Sequence, residues 1–225
     1  MDHGIETKAL TGTDGMNIHS QKPMPILSTE PAPSPSPKKA SRKREDILEA
    51  ALALFVDRGF HGTAVPALAQ RANVGAGTIY RYFENKEALV NELFRQWKTA
   101  IAEHVTAGFD PSLAPRQLFA EFWGRTVEFA VRHPRAFAFL ELHHHSSYLD
   151  DKSRAVEESV VTMARGLIES MKTASALKNM PAELLMSVIY GALIGFVRGS
   201  WEGRYALNSE NSADAEECAW SAIAS

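Results

Sequence analysis

The sequence predicts an all-α protein, and three observations carry that expectation. Apolar residues recur at three- and four-residue spacing from about residue 47 to the end. Helix-type capping residues stand where those patterns begin and stop. No alternation of apolar and polar residues, as a strand would need, survives for more than a few positions.

Taken in order, residues 1–37 are polar and rich in Pro, Ser and Gly, ending in PAPSPSPKK. Such a stretch buries too little apolar area to offset its ordering entropy, so it is expected to be disordered. Met16 and Met24 lie inside it as alternative starts. A basic cluster follows: Lys38, Lys39, Arg42, Lys43 and Arg44. Ile47, Leu48, Ala51, Leu54 and Phe55 then form one face of a first helix, and Gly59 stands where a C-terminal glycine closes it. Thr63 is expected to cap a second helix with Val65, Leu68, Ala69 and Ala72 inward. Pro66 sits in its first turn, where a missing N–H costs little. Asn73-Val74-Gly75 turns the chain into a third, short helix over about Ala76–Phe83. Asn85 caps a fourth, with Leu89, Leu93, Phe94, Trp97 and Ile101 on one side.

Helical spacing continues beyond residue 108. Pro115 opens a helix with Leu118, Phe119, Phe122, Trp123, Thr126, Val127 and Phe129 broadly inward. Pro134 opens another that stops near His143–Ser147. Asp150 or Asp151 starts a long helix to about Ala174, and Pro181 one to about Tyr205. Residues 210–225 make a final amphipathic helix.

Composition bounds the function. Hydrophobic residues make up 45% of 225 and charged residues 23%, as in an ordinary globular protein. Cys218 is the only cysteine, which excludes a disulfide framework or thiolate zinc cluster within one chain. The apolar runs are short and interrupted by charge, and no secretory signal pattern opens the chain, so a cytoplasmic protein with no membrane span is expected. Charge is uneven. Residues 38–98 hold eleven Lys/Arg against seven Asp/Glu (+4), whereas residues 99–225 hold eleven against sixteen (−5). A basic segment beside an acidic one suits a polyanion partner for the first and another task for the second.

The stretch Val74–Leu89, VGAGTIYRYFENKEAL, is the most informative. A tight turn, a short helix faced with Thr and Tyr, and an Asn-capped new helix follow one another in sixteen residues. No convergent acid, base or nucleophile occurs there, and three short helices with a glycine-containing turn form a helix-turn-helix. The segment GFHGTAVPALAQRANVGAGTIYRYFENKEALVNELF resembles the N-terminal domain of the TetR family of transcriptional regulators over about Ser41–Ile101. The resemblance implies a helix-turn-helix domain at 41–101, a helical effector-binding and dimerisation domain at 102–225, and an N-terminal extension at 1–40.

It also implies roles. Thr63 would bind a phosphate at the start of the second helix. Ala76, Gly77 and Thr78 would face base edges. Tyr80, Arg81 and Tyr82 would meet phosphates or bases, with Arg81 reading guanine. Lys86 would grip a phosphate. The structural alternatives are a packed Tyr80 or Tyr82 and a solvated Arg81. Many relatives carry Ser where Gly75 stands and a polar or basic residue at Pro66, so readout rests mainly on the third helix, helped by the arm Lys38–Arg44 in the minor groove.

For the acidic half, the resemblance implies a homodimer joined through its last two helices. Gly191, Gly195, Gly199 and Gly203 stand four apart, and glycine in a helix costs about 1 kcal/mol relative to Ala. Close approach of a partner helix would compensate; packing within one subunit is the alternative. Phe122, Trp123, Phe139 and Trp201, with Phe119 and Phe137, are candidates for lining an effector cavity or for plain core. His143-His144-His145 cannot converge on one ion, because successive helical side chains point about 100° apart. Glu141 and His145 could ligate together only with help from elsewhere. No metal site and no cofactor is assigned, and His143 is placed in the pocket.

The expected function is a homodimeric repressor that binds a palindromic operator in double-stranded DNA and is released by a small molecule. A regulator that needs no effector, or that activates, is the alternative. A metal-assisted hydrolase using His143–His145 is a remote third, with no nucleophile–base motif behind it.

Overall fold

Local chemistry starts and stops most of the helices. The computed structural model describes residues 39–142, 145 and 147–225, with side chains from Arg42 onward. The Pro/Ser-rich stretch, Met16, Met24, Lys38, His143 and His144 lie outside the described residues. Helix α1 (Lys39–Arg58) stops at Gly59, whose φ of 70° lets its N–H reach the Phe55 carbonyl at 2.9 Å. Helices α2 (Val65–Arg71) and α3 (Ala76–Tyr82) are short. Helix α4 (Lys86–Thr106) is capped by Asn85, whose side chain accepts the Ala88 N–H at 2.7 Å. Prolines open α5 (Pro115–Arg132) and α6 (Pro134–Leu142). Asp150 caps α7 (Asp151–Thr173) by accepting the Ser153 N–H at 2.7 Å. Pro181 precedes α8 (Ala182–Trp201), and Asn208 caps α9 (Ser209–Ile223) through the Asn211 N–H at 2.8 Å.

Among the described residues there is no strand, only one isolated antiparallel bridge between Leu177 and Ala224. It pins the end of α9 to the α7–α8 linker, helped by Lys178 N–H to the Ile223 carbonyl at 2.9 Å. Helix α8 ends earlier than expected. Its C-cap is Glu202, and Gly203 lies in the following turn with φ of 75°. By length and composition α8 could cross a membrane, at 20 residues and mean hydropathy 1.4, which corrects the expectation that every apolar run is too short. Here Leu185, Ile189, Leu193, Phe196 and Val197 bury their faces against α5, α7 and α9.

One core runs through the whole structure. It includes Ile47, Leu48 and Phe55 of α1, Phe94 of α4, Phe129 of α5, Phe137 and Phe139 of α6, and Leu185 of α8. Each such side chain contributes about 1.5–3 kcal/mol by leaving water. Two aromatic contacts join the first three helices to the rest: Phe55 with Phe139, ring centres 6.4 Å apart, and Phe60 with Tyr148 at 4.3 Å.

A polar seam runs beside them. Arg44 pairs with Glu92 at 2.7 Å, Glu92 with Arg95 at 3.1 Å, and Arg95 with Asp150 at 3.0 Å. Burial pushes the Glu92 carboxyl up, but hydrogen bonds and charge from Arg44 and Arg95 outweigh it and hold the group below its ordinary value. Buried Asn91 donates to the Tyr148 carbonyl and accepts the Asp150 N–H, both at 2.8 Å, which fixes where α7 begins.

Candidate nucleic-acid interface

The turn between α2 and α3 is set by backbone chemistry. Asn73 adopts φ of 51°, a left-handed conformation that Asn tolerates well. Val74 N–H then reaches back to the Ala69 carbonyl at 2.9 Å and closes the end of α2. Gly75 is the N-cap of α3 and offers no side-chain cap, as the sequence implied.

Helix α3 buries little. Ile79 goes into the core, followed by Phe83 just past the helix. Thr78 and Tyr82 are half-buried, Tyr82 against that core. Ala76, Gly77, Tyr80 and Arg81 are exposed. These four lie at i, i+1, i+4 and i+5, a single outward face. Tyr80 is 55% exposed, an unusual state for a large aromatic that has alternatives in a core. Neither Tyr80 nor Arg81 makes a hydrogen bond or ion pair with any described residue. A Cβ added to Gly77 would meet nothing within 4 Å, so internal packing does not require that glycine. The face is therefore free of structural duties.

Two assigned phosphate contacts are corrected. Thr63 is 1% exposed, and its hydroxyl donates to the Leu54 and Gly59 carbonyls at 3.1 and 2.8 Å. Its own N–H reaches the Phe60 carbonyl at 3.3 Å, and the N-cap of α2 is Ala64. Thr63 thus satisfies the end of α1 instead of facing outward. Lys86 turns inward as well. Its ammonium donates to the Phe60 and Thr63 carbonyls at 2.8 and 3.0 Å and lies 4.2 Å from the centre of the Phe60 ring. In the basic arm, Arg44 is engaged by Glu92 and also sits over the Phe83 ring. Arg42 and Lys43 are exposed.

The remaining candidates divide. Trp123 and Phe139 are each 1% exposed and pack within the core. Trp123 donates its indole N–H to the Ser212 hydroxyl at 3.2 Å, tying α5 to α9. Phe122 and Trp201 are half-buried, Trp201 standing edge-on to Phe137 at 5.9 Å. His143 lies outside the described residues. His145 is buried, with Nε2 against the Phe139 carbonyl and Nδ1 2.8 Å from the Tyr148 hydroxyl, so the residue braces the α6 end. Among the described residues no group of three or more His, Cys, Asp or Glu is placed to hold a metal.

Of the glycines, Gly199 is corrected: the Tyr205 ring folds onto it, its Cζ 2.9 Å from where a Cβ would be. Gly191 and Gly195 face open space on α8. Exposed Leu184 and Val188 continue that face, beside a groove of about 510 Å³ between α8 and α9.

Comparison with known proteins agrees with this architecture. Residues 47–93 match the bacterial regulatory proteins of the tetR family, and residues 94–225 match the tetracyclin repressor-like C-terminal domain. The chain is 29% identical over 171 residues to the probable acrEF/envCD operon repressor of Escherichia coli K12, covering 71% of this chain and 76% of that protein. It is 30% identical over 162 residues to the HTH-type transcriptional regulator YhgD of Bacillus subtilis 168, whose own role is uncharacterized, covering 68% and 82%. A crystal structure of a TetR family transcription regulator from Marinobacter aquaeolei VT8 superposes with a TM-score of 0.72 over 81% of this chain and 96% of its own, at 24% identity, a likeness of fold. With both halves of the chain matched in order and the helix-turn-helix face left free by the fold, the protein belongs to the TetR family and is a DNA-binding transcriptional regulator.

Proposed function

We propose that the protein is a homodimeric repressor, held on a palindromic operator in the cytoplasm and released by a small molecule. Residues 41–101 act as the reading head and residues 102–225 as the sensing and dimerising body, with residues 1–40 as an extension. The observation that carries the reading is the unoccupied face Ala76, Gly77, Tyr80 and Arg81 on α3. Thr78 and Tyr82 flank it and complete the reading surface. An Arg there suits guanine O6 and N7, and Tyr80 supplies a rigid contact to backbone or base.

Selection from random duplex DNA tests it. The wild-type chain is expected to enrich an inverted repeat, because a two-fold protein imposes its symmetry on its site. Arg81→Ala is expected to weaken binding by about 1–3 kcal/mol and to relax preference at one position per half-site. Enrichment of a site without two-fold symmetry, or none, would sink the proposal.

Dimerisation is assigned to the outward face of α8, where Leu184, Val188, Gly191 and Gly195 recur at i, i+4, i+7 and i+11, and to α9 beside it. A Cβ at Gly195 meets nothing within 4 Å in its own subunit, so Gly195→Leu is expected to obstruct a partner more than its own fold, with a melting curve as the control. Sedimentation at low concentration is expected to show monomer for the variant under conditions where the wild type is dimeric. An unchanged dimer would move the interface elsewhere.

A further inference from the structure

Helix α3 packs mainly on α2. Buried Ile79 and Phe83 set how deep it sits, but about two turns of helix resting on two apolar side chains keep freedom to tilt. A further hold comes from charge. Phe83, the C-cap of α3, lies under the Arg44 guanidinium of α1, 5.3 Å from the ring centre. Arg44 Nη2 meets Glu92 Oε1 of α4 at 2.7 Å, and the other carboxylate oxygen, Oε2, takes Arg95 Nη2 at 3.1 Å. With each oxygen engaged by a different arginine, the Glu92 carboxylate is fixed in direction as well as place.

Arg95 divides its guanidinium in the same way. Its Nη1 donates to both Asp150 oxygens at 3.1 and 3.0 Å and to the Ser153 hydroxyl at 2.9 Å, leaving Nη2 for Glu92. Asp150 caps α7 and donates its own N–H to buried Asn91, while Ser153 is 0% exposed. The far end of the chain is therefore set in the body. A lone exposed ion pair contributes little, but here each inner member pairs in two directions, and the Glu92 and Arg95 side chains are only 34% and 26% exposed. Burial opposes the Glu92 charge, yet the two arginines keep the carboxyl below its ordinary value, so the chain is fully ionised at neutral pH.

Bracing of this kind matters to a two-headed reader. A two-fold dimer meets two half-sites at once, so the separation and tilt of its heads decide which spacing fits. One inserted base pair moves the second half-site about 3.4 Å along the axis and about a tenth of a turn around it. A head free to tilt follows that shift, whereas a head braced from α3 to α7 does not.

We propose that Glu92 and Arg95 are positioning residues for DNA recognition: through Arg44 they hold the reading helix against the body and thereby set the half-site spacing that the dimer accepts. They act on spacing and leave the choice of bases within each half-site to α3. The proposal rests on the homodimer reading above.

The test measures affinity of the full chain, by anisotropy at one fixed salt concentration, for the selected inverted repeat and for duplexes with its spacer shortened or lengthened by one base pair. Wild type is expected to lose at least about tenfold at either altered spacing, the scale of one lost base contact, and Glu92→Ala and Arg95→Met are each expected to cut that loss to about threefold or less. Base preference within the half-site is expected to stay as in wild type. Melting curves are the control for folding; should Arg95→Met fail to fold, Glu92→Ala carries the test, since its part-exposed side chain leaves no buried cavity. A variant that binds every spacing more weakly by the same factor overturns the proposal, because lost stability alone does that. A wild type indifferent to spacing overturns it too. If wild type selects no inverted repeat, the dimer reading falls and takes the proposal with it; a selected repeat whose spacing loss is unchanged in both variants sinks the proposal alone.

Discussion

Phe139→Ala is expected to destabilise the fold by about 3–5 kcal/mol, measured by denaturant melting with no small molecule present. The ring is 1% exposed and lies 6.4 Å from the centre of Phe55 and 4.5 Å from His145. Its removal leaves a cavity between α1 and α6 that neither backbone can close. DNA affinity falls with it at higher temperature, because the seat of the reading head is loosened. A variant that melts like the wild type yet responds differently to an effector would return Phe139 to the lining of a ligand pocket.

Lys86→Met carries the second large effect, about 2–3 kcal/mol of stability. Methionine keeps much of the apolar stem but removes the ammonium, so the Thr63 carbonyl loses its ammonium donor, the Phe60 carbonyl keeps only the longer bond from the Thr63 N–H, and the Phe60 ring loses its cation. Binding to DNA per folded molecule is expected to keep its salt dependence. The opposite pattern, a normal melt with a salt slope reduced by about one, would show that Lys86 neutralises a phosphate after all.

Both expectations come from contacts that span distance along the chain, and that is where sequence reasoning went astray. Gly59, Asn85 and Asp150 act on residues three or four positions away, so the pattern alone identifies them. Lys86 acts on a carbonyl 26 positions back and Thr63 on one 9 back; nothing local marks either as turned inward. Both are polar residues beside a helix start, the same signature an anion site would have.

The glycine series failed at its far end for a similar reason. Spacing alone extends the helix through Gly203, whereas Tyr205 folds back across Gly199 and donates to the Phe196 carbonyl at 2.9 Å. On α3 the sequence groups Ala76, Gly77, Thr78, Tyr80, Arg81 and Tyr82 together, and only burial in the fold separates the exposed Ala76, Gly77, Tyr80 and Arg81 from the half-buried Thr78 and Tyr82.

The aromatic joints Phe55–Phe139 and Phe60–Tyr148 bear on how such a regulator can be rebuilt. A chimera carrying residues 41–101 on a foreign body would leave Phe55 and Phe60 facing surfaces shaped for other side chains. The head is thus a poor cassette for transplantation. New operator preferences are better sought by exchanging Ala76, Gly77, Tyr80 and Arg81 in place, where the scaffold imposes no packing demand of its own.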